Sequence, residues 1–188
     1  MASELRVDKI VPVDGVGSDS GTEPGGTASQ LTYGGGIIQI VQFCQGLGQV
    51  NSTNSNQFDT GLTCTITPKF NTSKILVNVS LGSLANSGQY KRAMMNIVRD
   101  STNILIGDAT TGTECTACVA PRAQDDNYAQ IPVSFMVLDS PATTSATTYK
   151  VQVSRGSDTG TVYVNGSAGA DSNSGNTASS IVVMEVSA

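Results

Sequence analysis

The chain has 188 residues, 38% of them apolar and only 13% charged, with a net charge of −5, no histidine and no tryptophan. That is one domain's worth of chain with some to spare. Lys and Arg form no cluster, which argues against nucleic-acid binding and its dense phosphate neutralisation. The absence of histidine excludes Ser-His-Asp and Cys-His nucleophilic sites.

Residues 1–16 begin with "MASELRVDKIVPVDG". Charges stand where a signal peptide would carry its apolar stretch, so the sequence predicts a protein made without one, starting in a cytoplasm. Leu5, Val7, Val11 and Val13 alternate onto one face, with Lys9 among them, and Ile10 and Pro12 fall on the other. Such a short extended segment cannot fold alone, and its apolar edge needs a larger body or other copies to cover it. Residues 17–36 are rich in Gly and Ser, show no periodicity and end in Gly34–Gly36, as expected of a linker and hinge. No helix follows those glycines, so they do not form a phosphate-binding loop.

From Ile37 onward, strand signals recur every ten to fifteen residues between turn residues. They are "IIQIVQF" (37–43), "LTCTIT" (62–67), "KILVNVSLG" (74–82), "YKRAMMNIVRD" (90–100), "NILIG" (103–107), "YAQIPVSFMVLD" (128–139), "TTYKVQVSR" (147–155), "GTVYVNG" (160–166) and "SSIVVMEVSA" (179–188). The "DST" between the fourth and fifth predicts a hairpin. A helical period survives only weakly, over Ala93–Val98. The expected fold is all-β, an antiparallel β-sandwich over residues 37–188.

Two kinds of strand emerge. Residues 62–67, 74–81 and 149–153 are apolar on one face, so their other face is wet. Residues 37–43, 131–138 and 181–186 are apolar on both. A sandwich strand has one face in the core, so these three need a second burial partner, and the economical one is another copy of the chain. Three copies about an axis would give Ile37, Val41, Phe43, Val182, Met184 and Val186 a dry place. Between the strands lie three long polar segments: 46–61, 109–127 and 165–178. Loops of that length are functional or mobile, and their Ser, Thr, Asn and Gly content suits adaptable hydrogen bonding.

The remaining chemistry is sparse. Cys44, Cys64, Cys115 and Cys118 lack the second CxxC or the histidines of a zinc site. They are expected to be small apolar residues, with a disulfide or an adventitious metal as the alternatives. Asp125 and Asp126 are consecutive and point apart, which suits a turn better than a glycosidase pair. "DSNSGN" (171–176) lacks the twelfth-position glutamate of a calcium loop. The N-x-[ST] triplets at Asn51, Asn71, Asn78 and Asn165 arise by chance in so Ser- and Thr-rich a chain. No stretch approaches a membrane span. The sequence predicts no enzyme, no cofactor and no metal.

The stretches "MASELRVDKIVPVDG", "GGGIIQIVQF", "TSKILVNVSLG", "TTYKVQVSR" and "SSIVVMEVSA" together resemble fibre proteins of tailed bacteriophages, especially those infecting cyanobacteria. The resemblance implies a homotrimeric virion component. Its N-terminal arm would dock on other virion proteins, through Leu5, Val7, Ile10, Val11 and Val13 here. Its C-terminal jelly-roll-like sandwich would project outward, for recognition of host-surface glycans. The chain lacks shaft repeats, and its length suits a short tail appendage, a baseplate-associated fibre or a head fibre. The competing expectation is a non-adhesive virion part, such as a capsid decoration or neck protein.

Overall fold

The computed structural model describes residues 36–45, 48–88, 91–107, 118–120, 130–156, 159–167 and 175–187. The expected attachment residues Leu5, Val7, Ile10, Val11 and Val13, the linker up to Gly35, Cys115, Asp125–Asp126 and Asp171–Ser174 lie outside them.

The described residues form an all-β fold of two antiparallel sheets. The strands are β1 (Ile37–Gln45), β2 (Val50–Ser52), β3 (Phe58–Ile66), β4 (Lys74–Asn86), β5 (Ala93–Arg99), β6 (Thr102–Leu105), β7 (Cys118–Ala120), β8 (Ile131–Asp139), β9 (Thr147–Ser154), β10 (Val162–Val164) and β11 (Ser179–Val186). Among the described residues there is no helix long and apolar enough to cross a membrane.

The first sheet is built on β4. One edge of β4 pairs with β8, and the other pairs with β11 over its first half and β10 over its last residues. β1 pairs with β11, and β2 pairs with β10. The second sheet has the order β3-β9-β5, with β6 and β7 end to end on the far edge of β5. β1 and β11 also lie against β3, so the sandwich curls closed on that side.

Alternation explains why these segments became strands. In β3 from Thr60 onward, and in β4 up to Leu81, every second residue is buried. Leu62, Ile66, Ile75, Val77 and Val79 are wholly inside, with Val151 and Val153 of β9 opposite. The hairpin lies where "DST" predicts it. Its turn residue Asp100 adopts φ 52°, and it exchanges hydrogen bonds with Thr148 through its amide (2.7 Å) and its carboxylate (2.9 Å). The weak helical period over Ala93–Val98 belongs to β5, which is buried along all six of those residues. With no wet face, a strand loses its twofold signature.

Two expected loops contain strand. β3 begins at Phe58, four residues earlier than its apolar alternation, because a bulge interrupts its register between Asp59 and Thr63. Gly61 takes φ 84° there, and the buried Thr60 hydroxyl satisfies the displaced backbone, accepting from Leu62 N–H and donating to the Val151 carbonyl. β2 and β7 have three residues each, too few for a visible period.

One end of the sandwich is tied by charge. Arg99 of β5 places Nη1 at 2.8 Å from both carboxylate oxygens of Asp139 on β8, and the Tyr149 hydroxyl of β9 donates to the same carboxylate at 2.7 Å. Burial first, and then the neighbouring Asp139 charge, push the Tyr149 hydroxyl far above its ordinary pKa. Three strands from two sheets meet at that carboxylate.

Candidate functional site

The two outer faces of the sandwich differ in character. On the second sheet, Asp59, Thr63, Thr65, Thr148, Lys150 and Gln152 share one face by register. Lys150 and Gln152 donate to the Asp59 carboxylate at 3.1 and 2.6 Å, and the Thr65 and Thr148 hydroxyls bond each other at 2.9 Å. Over β3 and β9 this is an ordinary solvated sheet face; beside it the outward Met94, Asn96 and Val98 of β5 are buried.

The first sheet carries the opposite chemistry. In β4, Ile75, Val77 and Val79 point inward, so Leu76, Asn78 and Ser80 point outward. Register then carries the assignment across the sheet. Leu76 pairs with Met184 of β11 and Leu138 of β8, and Met184 pairs with Ile40 of β1. An unbroken apolar row, Ile40–Met184–Leu76–Leu138, therefore crosses four strands on the outer face. The next row is Gln42–Val182–Asn78–Met136, and Ile37 and Val186 extend the patch on its other side. Ile37, Ile40, Met136 and Leu138 are 57%, 58%, 61% and 56% exposed. Scattered apolar residues are normal on a surface, but a contiguous sheet face of them marks an interaction site.

The structure divides the six residues expected to lie between copies. Ile37, Val182, Met184 and Val186 are on this outer face. Val41 pairs with Val183 and packs against the core, and Phe43 pairs with Ile181, whose side chain is fully buried, while itself staying 40% exposed. The cause is a register irregularity between Ile37 and Gln39. A one-residue shift exchanges the faces of everything beyond it, so Ile40 replaces Val41 and Phe43 on the outer side. Leu76, Met136 and Leu138 complete the patch. Met136 and Leu138 belong to a strand already apolar on both faces, whereas Leu76 is a lone apolar residue between Lys74 and Asn78 and carries little signal of its own.

The anchors of the long polar segments are also placed. The chain enters β1 from Gly36 beside Val186 and Ser187, and the connections at that end are short: 67–73, 100–101 and 140–146. The opposite end holds the turn 53–57, the ends of the connections 87–92 and 155–161, and both anchors of the segment 121–130. Segment 165–178 leaves from Val164 and returns at Ser179, in the third of β4 nearest that end. Side chains brace its anchors. Ser179 Oγ donates to Asn165 Oδ1 and accepts from Gly82 N–H, and Thr177 donates its hydroxyl to Ser83 Oγ at 3.1 Å. Nearby, Asn86 donates to the Arg92 carbonyl at 2.6 Å and accepts from Gly88 N–H at 2.9 Å.

Of the cysteines, Cys64 is buried and free, its thiol pushed up by burial, and Cys44 is exposed and free. Cys44 sits on the outer face of β1, paired with Ser180. Among the described residues no three His, Cys, Asp or Glu side chains gather as a metal site would require. No known protein family matches the sequence, and no curated protein is significantly similar to it.

Proposed function

We propose that the chain is a structural fibre protein of a phage particle. Its N-terminal arm docks on other virion proteins, and its β-sandwich is displayed as a homotrimer that contacts the host surface, with glycans as the ligand class. The observation that carries this reading is the apolar outer face of the first sheet, set against the polar, solvated face that β3 and β9 present on the second. One sandwich with one dry-seeking face needs copies to cover it. The distribution of segments gives further support: the arm joins at one end, and the long Ser-, Thr- and Asn-rich segments are anchored in the other half. Three copies with parallel strands would present three sets of these segments together, and linked weak sites reinforce one another.

The test is competition. Purified full-length chain, added to host cells before phage, should reduce adsorption in a dose-dependent way. Image reconstruction of the particle should place three copies at an appendage, sandwich outward. A chain found on the particle that never competes for adsorption would assign it to the non-adhesive structural parts instead.

A further inference from the structure

In β11 the inward positions run Ile181, Val183, Glu185, and Glu185 is as fully buried as the two apolar residues. Among the described residues no Lys or Arg side chain bonds its carboxylate. The groups that do come from two separate stretches of chain, β1 and the connection from β3 to β4. Gln39 Nε2 of β1 donates to Oε2 at 2.6 Å. The backbone N–H groups of Lys69 and Phe70, in the connection from β3 to β4, donate to Oε1 at 2.7 and 3.2 Å. Gln39 Nε2 also reaches the Thr67 carbonyl at 2.7 Å, which ties β1 to the same connection. Two rungs further out, Ser187 N–H donates to the Gly36 carbonyl at 2.9 Å, and Gly36 N–H donates to Ser187 Oγ at 3.1 Å.

A carboxylate buried among neutral donors is costly unless those donors hold it in its charged form. Here they do. Burial pushes the Glu185 carboxyl upward, and the Gln39 side chain, the nearby Ser73 hydroxyl and the Lys69 and Phe70 amides outweigh it, leaving the group below the usual glutamate range. An apolar residue would continue the inward pattern of β11 without that burden. It would also leave two backbone amides and an amide side chain without their acceptor, at the point where the chain enters the domain.

We propose that Glu185 is a pin for that joint. Ionised, it clamps the first residues of β1 and the 67–73 connection onto β11. When it takes a proton from solvent, one acceptor oxygen becomes a hydroxyl, the donors lose their charged partner, and this end loosens while the rest of the sandwich stays folded. Among the described residues the other charged groups at this end are Lys69 and Lys74 at the connection, Asp100 in the β5–β6 turn, and Asp139, which pairs with Arg99 and accepts from Tyr149. Asp139 lies in the same inward row as Glu185, with Ile75 between them. Asp139 has its cation, Arg99, and among the described residues Glu185 has none.

Hydrogen exchange on the full-length chain tests the pin, read by mass spectrometry and corrected for intrinsic rates. In Glu185→Gln at pH 7, peptides covering 37–43 and 67–73 should exchange about tenfold faster or more, as expected when charge-assisted hydrogen bonds are lost locally. Peptides 75–81 and 147–154 should accelerate less, because only the part of their exchange that goes through whole-domain unfolding feels the lost contacts. Lowering the pH should loosen the same two peptides in the wild type and add nothing in Glu185→Gln, which separates Glu185 from Asp139. Unchanged 37–43 and 67–73 peptides, or an equal acceleration in all four, would overturn the proposal. Should Glu185→Gln not fold, Gln39→Ala keeps the carboxylate and removes one donor. Exchange accelerated most in 37–43 and 67–73 would then support the pin, and no local change would refute it.

Discussion

Replacing Leu138 with aspartate would test the outer face of the first sheet. Leu138 points away from the core and is 56% exposed in the single chain. Full burial of such a side chain is worth about 1.5–3 kcal/mol, so about 1–1.5 kcal/mol remains to be gained when a second copy covers it. Four side chains of the patch are in that position, giving about 4–6 kcal/mol of gross driving force per copy, against which the cost of association must be set. Leu138→Asp forfeits one share and places an unpaired carboxylate in a dry contact, a loss of about 3 kcal/mol or more and therefore over a hundredfold in the dissociation constant. Sedimentation equilibrium of the full-length chain should show three copies for the wild type and a single copy for the variant. Thermal unfolding of the isolated variant should change little, because the side chain contributes nothing inward. Thr63→Asp, on the polar face of the second sheet, should leave association untouched. A Leu138→Asp protein that associates as tightly as the wild type would refute the placement of the contact, and a wild type that stays a single copy at high concentration would refute the contact itself.

Other outcomes follow from the interior. Tyr149→Phe removes the donor to Asp139 while Arg99 remains, and urea unfolding should register a loss of about 1–2 kcal/mol. Thiol alkylation with peptide mapping should show Cys64 protected until the protein unfolds. Cys44, on the outer face of β1, should react quickly in a dissociated variant and more slowly in the wild-type assembly; equal rates would remove it from the contact. Stability should also fall with acid. Because the Glu185 carboxyl is held below its unfolded value of 4.5, its contribution is complete above that pH and is lost as pH falls through the lower, folded value. Glu185→Gln should flatten that part of the pH–stability curve.

Much of this fold was legible because alternation is a local signal. "LTCTIT" and "KILVNVSLG" announce which side chains enter the core, and the "DST" hairpin announces its own turn. The strands apolar on both faces, β1, β8 and β11, could be picked out for the same reason, and they supply most of the outer patch. Local signals failed where parity was broken. The irregularity near Ile37 moved Val41 and Phe43 to the core side and Ile40 outward. The bulge at Gly61 hid the first four residues of β3. β5 lost its period because both its faces are covered. Glu185 was invisible for a different reason: nothing in "VVMEV" says that donors from residues 39, 69 and 70 will converge on it.

The pairing pattern has a further consequence. β10 and β11 are collinear stretches against one edge of β4, as β6 and β7 are against β5, and in each case the intervening chain departs from and rejoins almost the same line. The sheet constrains only the two anchor points of such a detour, and lengthening a loop costs little in closure entropy. Insertions or deletions between Asn165 and Thr177 should therefore leave every rung of the ladder in place. A scaffold organised this way lets the exterior vary freely from one lineage to the next without having to solve the folding problem again.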